Sequence, residues 1–335
     1  MEKLKFKRKM VLATGILLLL ASLIIAISIG GSSMDPYASF TGLLLRGTDT
    51  ENTIIWSIRV PRIIEAILAG GGLAIVGCTF QGIFRNPMAD PFVLGISSGA
   101  ALGASIAIVS GISLTIAGFT GVSVLAFTGA MLTVSAIYLV SSIRSSKENS
   151  ILLLTGIALN FFFSSIIYLL MFIRYDKMKE IVMWTFGTFS TASWDKVFFL
   201  APVVVIGSML LGLFARDLNS LVLGEKEAHS FGVSVEKSRN LMILIGTIIT
   251  AVIVSASGII GFVGLMIPHL LRFIVGSDYR KLLPMSFLYG TIFLLLSDTI
   301  ARTVIRPSEL PIGAITALFG SPFFIFILLN RKKGY

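Results

Sequence analysis

The side chains able to do chemistry in this sequence are few, and they are mostly arginines and carboxylates at helical spacing. Arg59-Val-Pro-Arg62 sets two guanidinium groups on one helix face, and Glu65 follows within pairing reach of Arg62. Asp298 and Arg302 stand at i and i+4, and Glu309-Leu-Pro-Ile-Gly313 comes soon after. Such residues support ion pairing and the docking of a charged partner. Bond-making chemistry is poorly provided for. Cys78 is the single cysteine, which excludes an internal disulfide and a cysteine metal cluster. His229 and His269 lie on separate segments, and neither is expected to bind metal. No HExxH, Walker A or GxGxxG run is present, so the chain has no recognisable zinc, ATPase or dinucleotide motif of its own.

The elements that must position these residues are membrane spans. Of 335 residues, 55% are hydrophobic, 32 are glycine and only 13% are charged. Mean hydropathy is +0.94. At about 20 apolar residues per spanning helix, that stock supplies about ten spans. A soluble enzyme, a disordered chain and a peripheral protein are excluded, and long apolar runs argue against a β-barrel. The runs predict spans at 10–29, 60–84, 93–110, 116–141, 151–173, 195–214, 240–257, 263–276, 282–301 and 312–330. The first, preceded by Lys3, Lys5, Lys7, Arg8 and Lys9, is too long for a signal sequence and reads as a retained span. The fold class is therefore an all-α polytopic membrane protein, with residues 1–335 forming one transmembrane domain.

The net charge of +10 fits this reading better than it fits nucleic acid, which is not an expected partner. An even number of spans puts both termini on one side of the bilayer. With the termini cytoplasmic, two-thirds of the 27 Lys and Arg residues fall inside, as positive-inside orientation favours. The remaining third, Arg59, Arg62 and Arg302 among them, need a separate reason to lie outside.

Three further segments stand out. Gln81-Gly-Ile-Phe-Arg-Asn-Pro-Met-Ala-Asp-Pro-Phe-Val-Leu-Gly95 joins a long span to a short one through a proline-rich turn, which suits a constriction in a pathway. In the longest internal connection, about 215–239, Gly224 and Gly232 bracket a short amphipathic stretch in which Ala228 is small enough to admit another surface. Gly258, Gly261 and Gly264 interrupt a helix ahead of Pro268 and His269, and Gly95, Gly99 and Gly103 form a small-xxx-small seam for close helix packing.

In order along the chain, these motifs resemble the FecCD-type permeases of bacterial ABC importers, which serve ferric siderophores, haem and vitamin B12. The likeness rests on R-x-P-R, N-P-x-A-x-P-x-x-L-G, G-x-x-G-F-x-G-L-x-x-P-H-x-x-R, D-x-x-A-R and E-L-P-x-G, and runs from about residue 35 to 330. It implies a vitamin B12-importer-like fold of ten spans in a bacterial plasma membrane. It also implies a second permease subunit, two cytoplasmic ATPase subunits that bind ATP and Mg, and an extracytoplasmic binding protein. By this resemblance Gly224, Glu225, Ala228 and Gly232 match the coupling helix that seats on the ATPase. Arg59, Arg62 and Arg302 match arginines that dock the binding protein. Asn86 and Met88 match one cytoplasmic gate, and Asn149 and Ser150 fall where a second lies. No catalytic residue, metal or cofactor is expected in this chain.

The expected cargo is an iron chelate, with a corrinoid as the alternative. Bulky apolar side chains, Phe162, Met171 and Trp184 among them, are expected to line the path. An ion-coupled secondary transporter is the competing class, but it would need paired carboxylates near the bilayer midplane. Glu65 and Asp298 lie toward span ends instead. A membrane-embedded enzyme would need clustered His, Asp or Glu.

Overall fold

Lipid offers no partner for a free backbone N–H or C=O, so apolar runs of spanning length fold as helices. The computed structural model describes residues 2–30, 35–44, 46–112, 115–116, 119–143, 149–305 and 307–330. Among these, seven helices are long and apolar enough to cross a membrane, and three apolar helices are shorter. In chain order the helices are α1 (Glu2–Ser28), α2 (Pro36–Leu43), α3 (Asp49–Thr53), α4 (Val60–Ile83), α5 (Ile96–Ser110), α6 (Gly121–Ile143) and α7 (Asn149–Ile173). There follow α8 (Met178–Thr185), α9 (Trp194–Leu213), α10 (Ala215–Leu223), α11 (Glu225–Ser230), α12 (Val235–Ser257), α13 (Val263–Val275), α14 (Tyr279–Ala301) and α15 (Ile312–Asn330). Each expected span coincides with one of α1, α4, α5, α6, α7, α9, α12, α13, α14 and α15.

One span begins earlier than its hydropathy suggests. The helix that carries Arg59 and Arg62 starts at Asp49 and reaches Ile83 without a break, through a π turn at Ile54–Arg59. Its start is a capping box. The Thr48 hydroxyl accepts from Glu51 N at 3.3 Å, and Thr48 N donates to Glu51 Oε2 at 2.7 Å.

α4 is the hub. It packs against α9, α10, α12, α13 and α14 and is buried on nearly every side. Glycine permits this density. A Cβ on Gly77 would collide with the carbonyl oxygen of Gly264 at the start of α13, and Gly70 meets the Gly290 carbonyl of α14 in the same way. Away from this hub, α5 lies on α6 along the expected seam, Gly99 beside Gly129 and Gly103 beside Leu125.

The glycine-rich break expected after the seventh span is present. α12 stops at Ser257, Gly258 takes φ +73°, and α13 resumes after Phe262, itself at φ +68°. Nearby backbone groups find partners within the protein. Thr188 N donates to Ser257 O at 2.8 Å, Gly313 N to Phe186 O at 2.8 Å, and Ile312 N to Gly187 O at 3.1 Å. Irregular chain is tolerated here because protein, not lipid, surrounds it.

Gly77→Ala is expected to destabilise the purified protein by about 1–3 kcal/mol, because the obstructing atom is backbone and cannot rotate away. Gly212→Ala, where nothing lies within 4 Å of the added methyl, should leave the thermal transition unchanged or raise it slightly. Equal transitions for the two variants would show that the α4–α13 contact does not depend on this approach.

Candidate functional site

The two ends of the bundle carry different chemistry. At the end where α4 begins, Arg62 Nε and Nη2 grip the Asp298 carboxylate at 2.8–3.1 Å, and Nη1 reaches both oxygens of Glu309 at 2.9 Å. Arg62 thus ties α4 to α14 and to the loop before α15. Arg302 Nη2 donates to Ala26 O at 2.7 Å, and its Nε lies 3.6 Å from Asp298 Oδ2. Arg59 Nη1 donates to the Ser39 hydroxyl at 2.9 Å and to Ile27 O, so it holds α1 and α2. Lys196 joins the same end, with Nζ donating to Thr191 Oγ1 at 2.7 Å and to Ala256 O at 3.1 Å.

Two expectations are corrected here. Glu65 does not pair with Arg62: its side chain is fully buried and neither carboxylate oxygen has a hydrogen-bond partner, while Arg62 turns to residues more than 230 positions away. The three arginines do not reach outward either. Arg59, Arg62 and Arg302 are 3%, 6% and 2% exposed, because each is drawn inward by carbonyl or carboxylate acceptors on neighbouring elements. Glu309 is the one partially open member of the cluster.

At the opposite end lies the amphipathic segment. α10 buries Ala215, Leu218 and Leu221 on one face, with Leu218 against Gly82 of α4. Gly224 at φ +146° turns the chain into α11, and Gly232 at φ +78° turns it out again, angles that suit glycine at both positions. Glu225 accepts from Arg239 of α12 at 3.1 Å, which fastens α11 to the bundle. Ala228 is fully buried within the chain, so it seats α11 rather than admitting a partner. The outward face instead shows Leu223 and Phe231, each about two-thirds exposed. A shallow groove of about 540 Å³ lies alongside, bordered by His229, Gly232, Ser234, Lys237 and Asn240.

The turn after α4 hangs from that helix. Asn86 N donates to Gln81 O at 3.2 Å, Met88 N to Asn86 Oδ1 at 2.9 Å, and Phe92 N to Asp90 Oδ1 at 2.9 Å. Met88 is exposed at its tip. Asn149 and Ser150 fall at the start of α7, and their side chains lie outside the described residues. Met171 and Trp184 pack on one small cluster with Ala101, Ile108, Ile167 and Ile181, whereas Phe162 stands apart on the open face of α7. His269 sits edge-on to Phe273, with ring centroids 5.0 Å apart.

Sequence reading missed Asn219 and Asp278. Asp278 caps α14 by accepting from Arg280 N at 3.2 Å, and an Asp just ahead of an apolar run is the available signal. Its hydrogen bond from the Arg280 side chain, with one from Asn219, holds its carboxyl down at about 2. The stabilisation from that pairing is present above the ordinary carboxylate range and is lost as pH falls through about 2.

Arg62→Ala would leave Asp298 buried with only the longer Arg302 contact, an expected loss of about 3–5 kcal/mol. Glu309→Ala, at the open side of the cluster, should cost about 1 kcal/mol or less. Thermal unfolding in detergent measures both, and an Arg62→Ala variant as stable as the parent would remove the ion pair from its structural role.

A protein-family model described as the FecCD transport family matches residues 18–330. The cobalamin import system permease protein BtuC of Halobacterium salinarum is 40% identical over 284 residues, covering 85% of this chain and 75% of that protein. The hemin transport system permease protein HmuU of Yersinia pestis is 37% identical over 315 residues, covering 93% of this chain and 94% of that protein. A solved structure described as an inward-facing conformation of a metal-chelate type ABC transporter is 34% identical, covers 96% of this chain and 99% of its own, and superposes with a TM-score of 0.83. With this match over most of its length, the chain belongs to the FecCD transport family, as a multi-pass ABC transporter permease that transports and does not catalyse.

Proposed function

We propose that this permease carries a ferric chelate, haem or a siderophore complex, inward across a bacterial plasma membrane. Both termini and the α10–α11 end face the cytoplasm. An ATPase subunit seats on α11, a second ATPase subunit seats on a second permease copy or paralogue, and these neighbours bind the ATP and Mg. An extracytoplasmic binding protein delivers cargo to the arginine end. There Arg59, Arg62 and Arg302 shape the docking surface from beneath, since their guanidinium groups are already engaged. Asn86 and Met88, with Asn149 and Ser150, narrow the cytoplasmic exit, and Phe162, Met171 and Trp184 offer the path a weakly interacting apolar lining.

The observation that carries the coupling role is the mounting of α11. A six-residue helix is marginal in water by itself. Here two glycine turns, the buried Ala228 and the Arg239–Glu225 pair hold it, with Leu223 and Phe231 projecting. Exposed apolar side chains on a fixed mount suit a cleft in a partner. The cargo reading is supported by a relative named for hemin transport and by a structural neighbour of metal-chelate type. Cobalamin is the second reading, favoured by the 40% identical cobalamin permease.

Leu223→Asp with Phe231→Asp should weaken ATPase co-purification about tenfold or more while the permease still folds, since buried apolar anchors carry most of an interface's energy. An intact complex would refute the coupling role. Vesicles holding the permease, its ATPase and its binding protein should accumulate a ferric chelate with ATP inside. Uptake of cyanocobalamin alone would select the second reading, and accumulation by the permease without an ATPase would refute both.

A further inference from the structure

Asn219 matches none of the motifs that mark this chain, yet its side chain spends both functional ends on two adjacent residues. Its Nδ2 donates to Asp278 Oδ1 at 3.0 Å, and its Oδ1 accepts from Tyr279 N at 3.0 Å. Tyr279 N is one of the amide groups that the start of α14 leaves without an intrahelical partner. Asn219 therefore closes a two-point clamp between α10 and the corner where α13 turns into α14.

The clamp opens onto a longer chain of contacts. The Tyr279 hydroxyl, seated against Gly82 of α4, lies 3.3 Å from Arg272 Nη2. Arg272 Nη1 donates to Gln81 Oε1 at 3.1 Å. Gln81 Nε2 donates to the carbonyls of Gly264 and Leu265 at 3.2 and 3.1 Å, and Gln81 O accepts from Asn86 N. On its other flank α10 is held to α12, where the Ser238 hydroxyl donates to Asp217 Oδ2 at 2.6 Å. Named side chains, completed by the Asn86–Gln81 backbone bond, thus connect α10 with the turn that bears Asn86 and Met88. The apolar face of α10 meets α4 through Leu218 against Gly82, a contact with little directionality. The two hydrogen bonds of Asn219 cannot stretch far without breaking.

We propose that Asn219 is the positioning residue that makes α10 and α11 move with the α13–α14 corner, and so passes ATPase motion to the turn carrying Asn86 and Met88. This rests on the reading of α11 as the ATPase seat. Spatial continuity alone does not establish energetic coupling, so the test must break and remake one link.

Asn219→Asp removes the Nδ2 donor and sets a carboxylate against Asp278. Asn219→Asp with Asp278→Asn exchanges donor and acceptor and re-forms the pair, and asparagine at 278 still serves as an N-cap. Both go into the reconstituted permease–ATPase complex with Met88→Cys carrying an environment-sensitive fluorophore, the native Cys78 being fully buried. The single variant should keep its ATPase bound and hydrolysing while the ATP-driven signal at position 88 falls about fivefold, the factor set by one lost hydrogen bond. The exchanged pair should recover most of it. Asn219→Ala, which removes both the Nδ2 donor and the Oδ1 acceptor without adding charge, serves if the aspartate variant does not fold, and a loss at least as large is expected. An undiminished signal in the single variant, loss of ATPase binding from it, or no recovery in a folded exchanged pair would each overturn the proposal. Failure of the α11 reading is separate: it shows as ATPase retained when Leu223 and Phe231 are replaced.

Discussion

Two helices in lipid gain little by burying apolar surface against each other, because the hydrocarbon around them is equally apolar. What holds them is closeness, and closeness is limited by the side chains between their axes. α4 answers that limit with glycine where its neighbours come nearest: Gly70 against α14, Gly77 against α13 and Gly82 beneath α10. Those three contacts draw both ends of the bundle onto one helix. The ion cluster at its start and the turn at its finish are each positioned by the same rod.

The two ends then use polar groups differently. At the start of α4 the charges are mostly buried and paired inwardly. Arg62, Asp298, Glu309 and Arg302 join α4, α14 and the loop before α15, and Arg59 adds α1 and α2. Removing one member of such a set costs more than the set contributes to stability, because the partner is left charged and buried. Glu65 is the exception within it, a fully buried carboxyl with no hydrogen-bond partner. At the other end hydrogen bonds and ion pairs of mixed burial are spread over α4, α10, α11, α12, α13 and α14, from the buried Gln81 and Tyr279 to the more open Glu225.

The described residues put bulky apolar side chains on α7 and α8, ion pairs near the bundle's ends, and one small helix on a fixed mount.

Composition and periodicity alone determined the class of fold and the ten apolar helices, because a bilayer imposes span length and forbids unpaired backbone. They also determined the glycine seam of α5 and the break ahead of α13, since both depend on residue type at fixed spacing. The earlier start of the α4 helix was readable in the Thr48-x-x-Glu51 box, a local signal that hydropathy overrode. Which charges Arg62 meets was decided only by the tertiary structure. Local spacing favours Asp298 for Arg302, and that pair forms at 3.6 Å, but it also favours Glu65 for Arg62, whereas folding brings Asp298 and Glu309 to Arg62 from the far end of the chain. The orientation of Ala228 and the two-point clamp of Asn219 were likewise invisible in sequence. A side chain's partner across a bundle depends on how every intervening helix packs, and helical spacing describes only its own face.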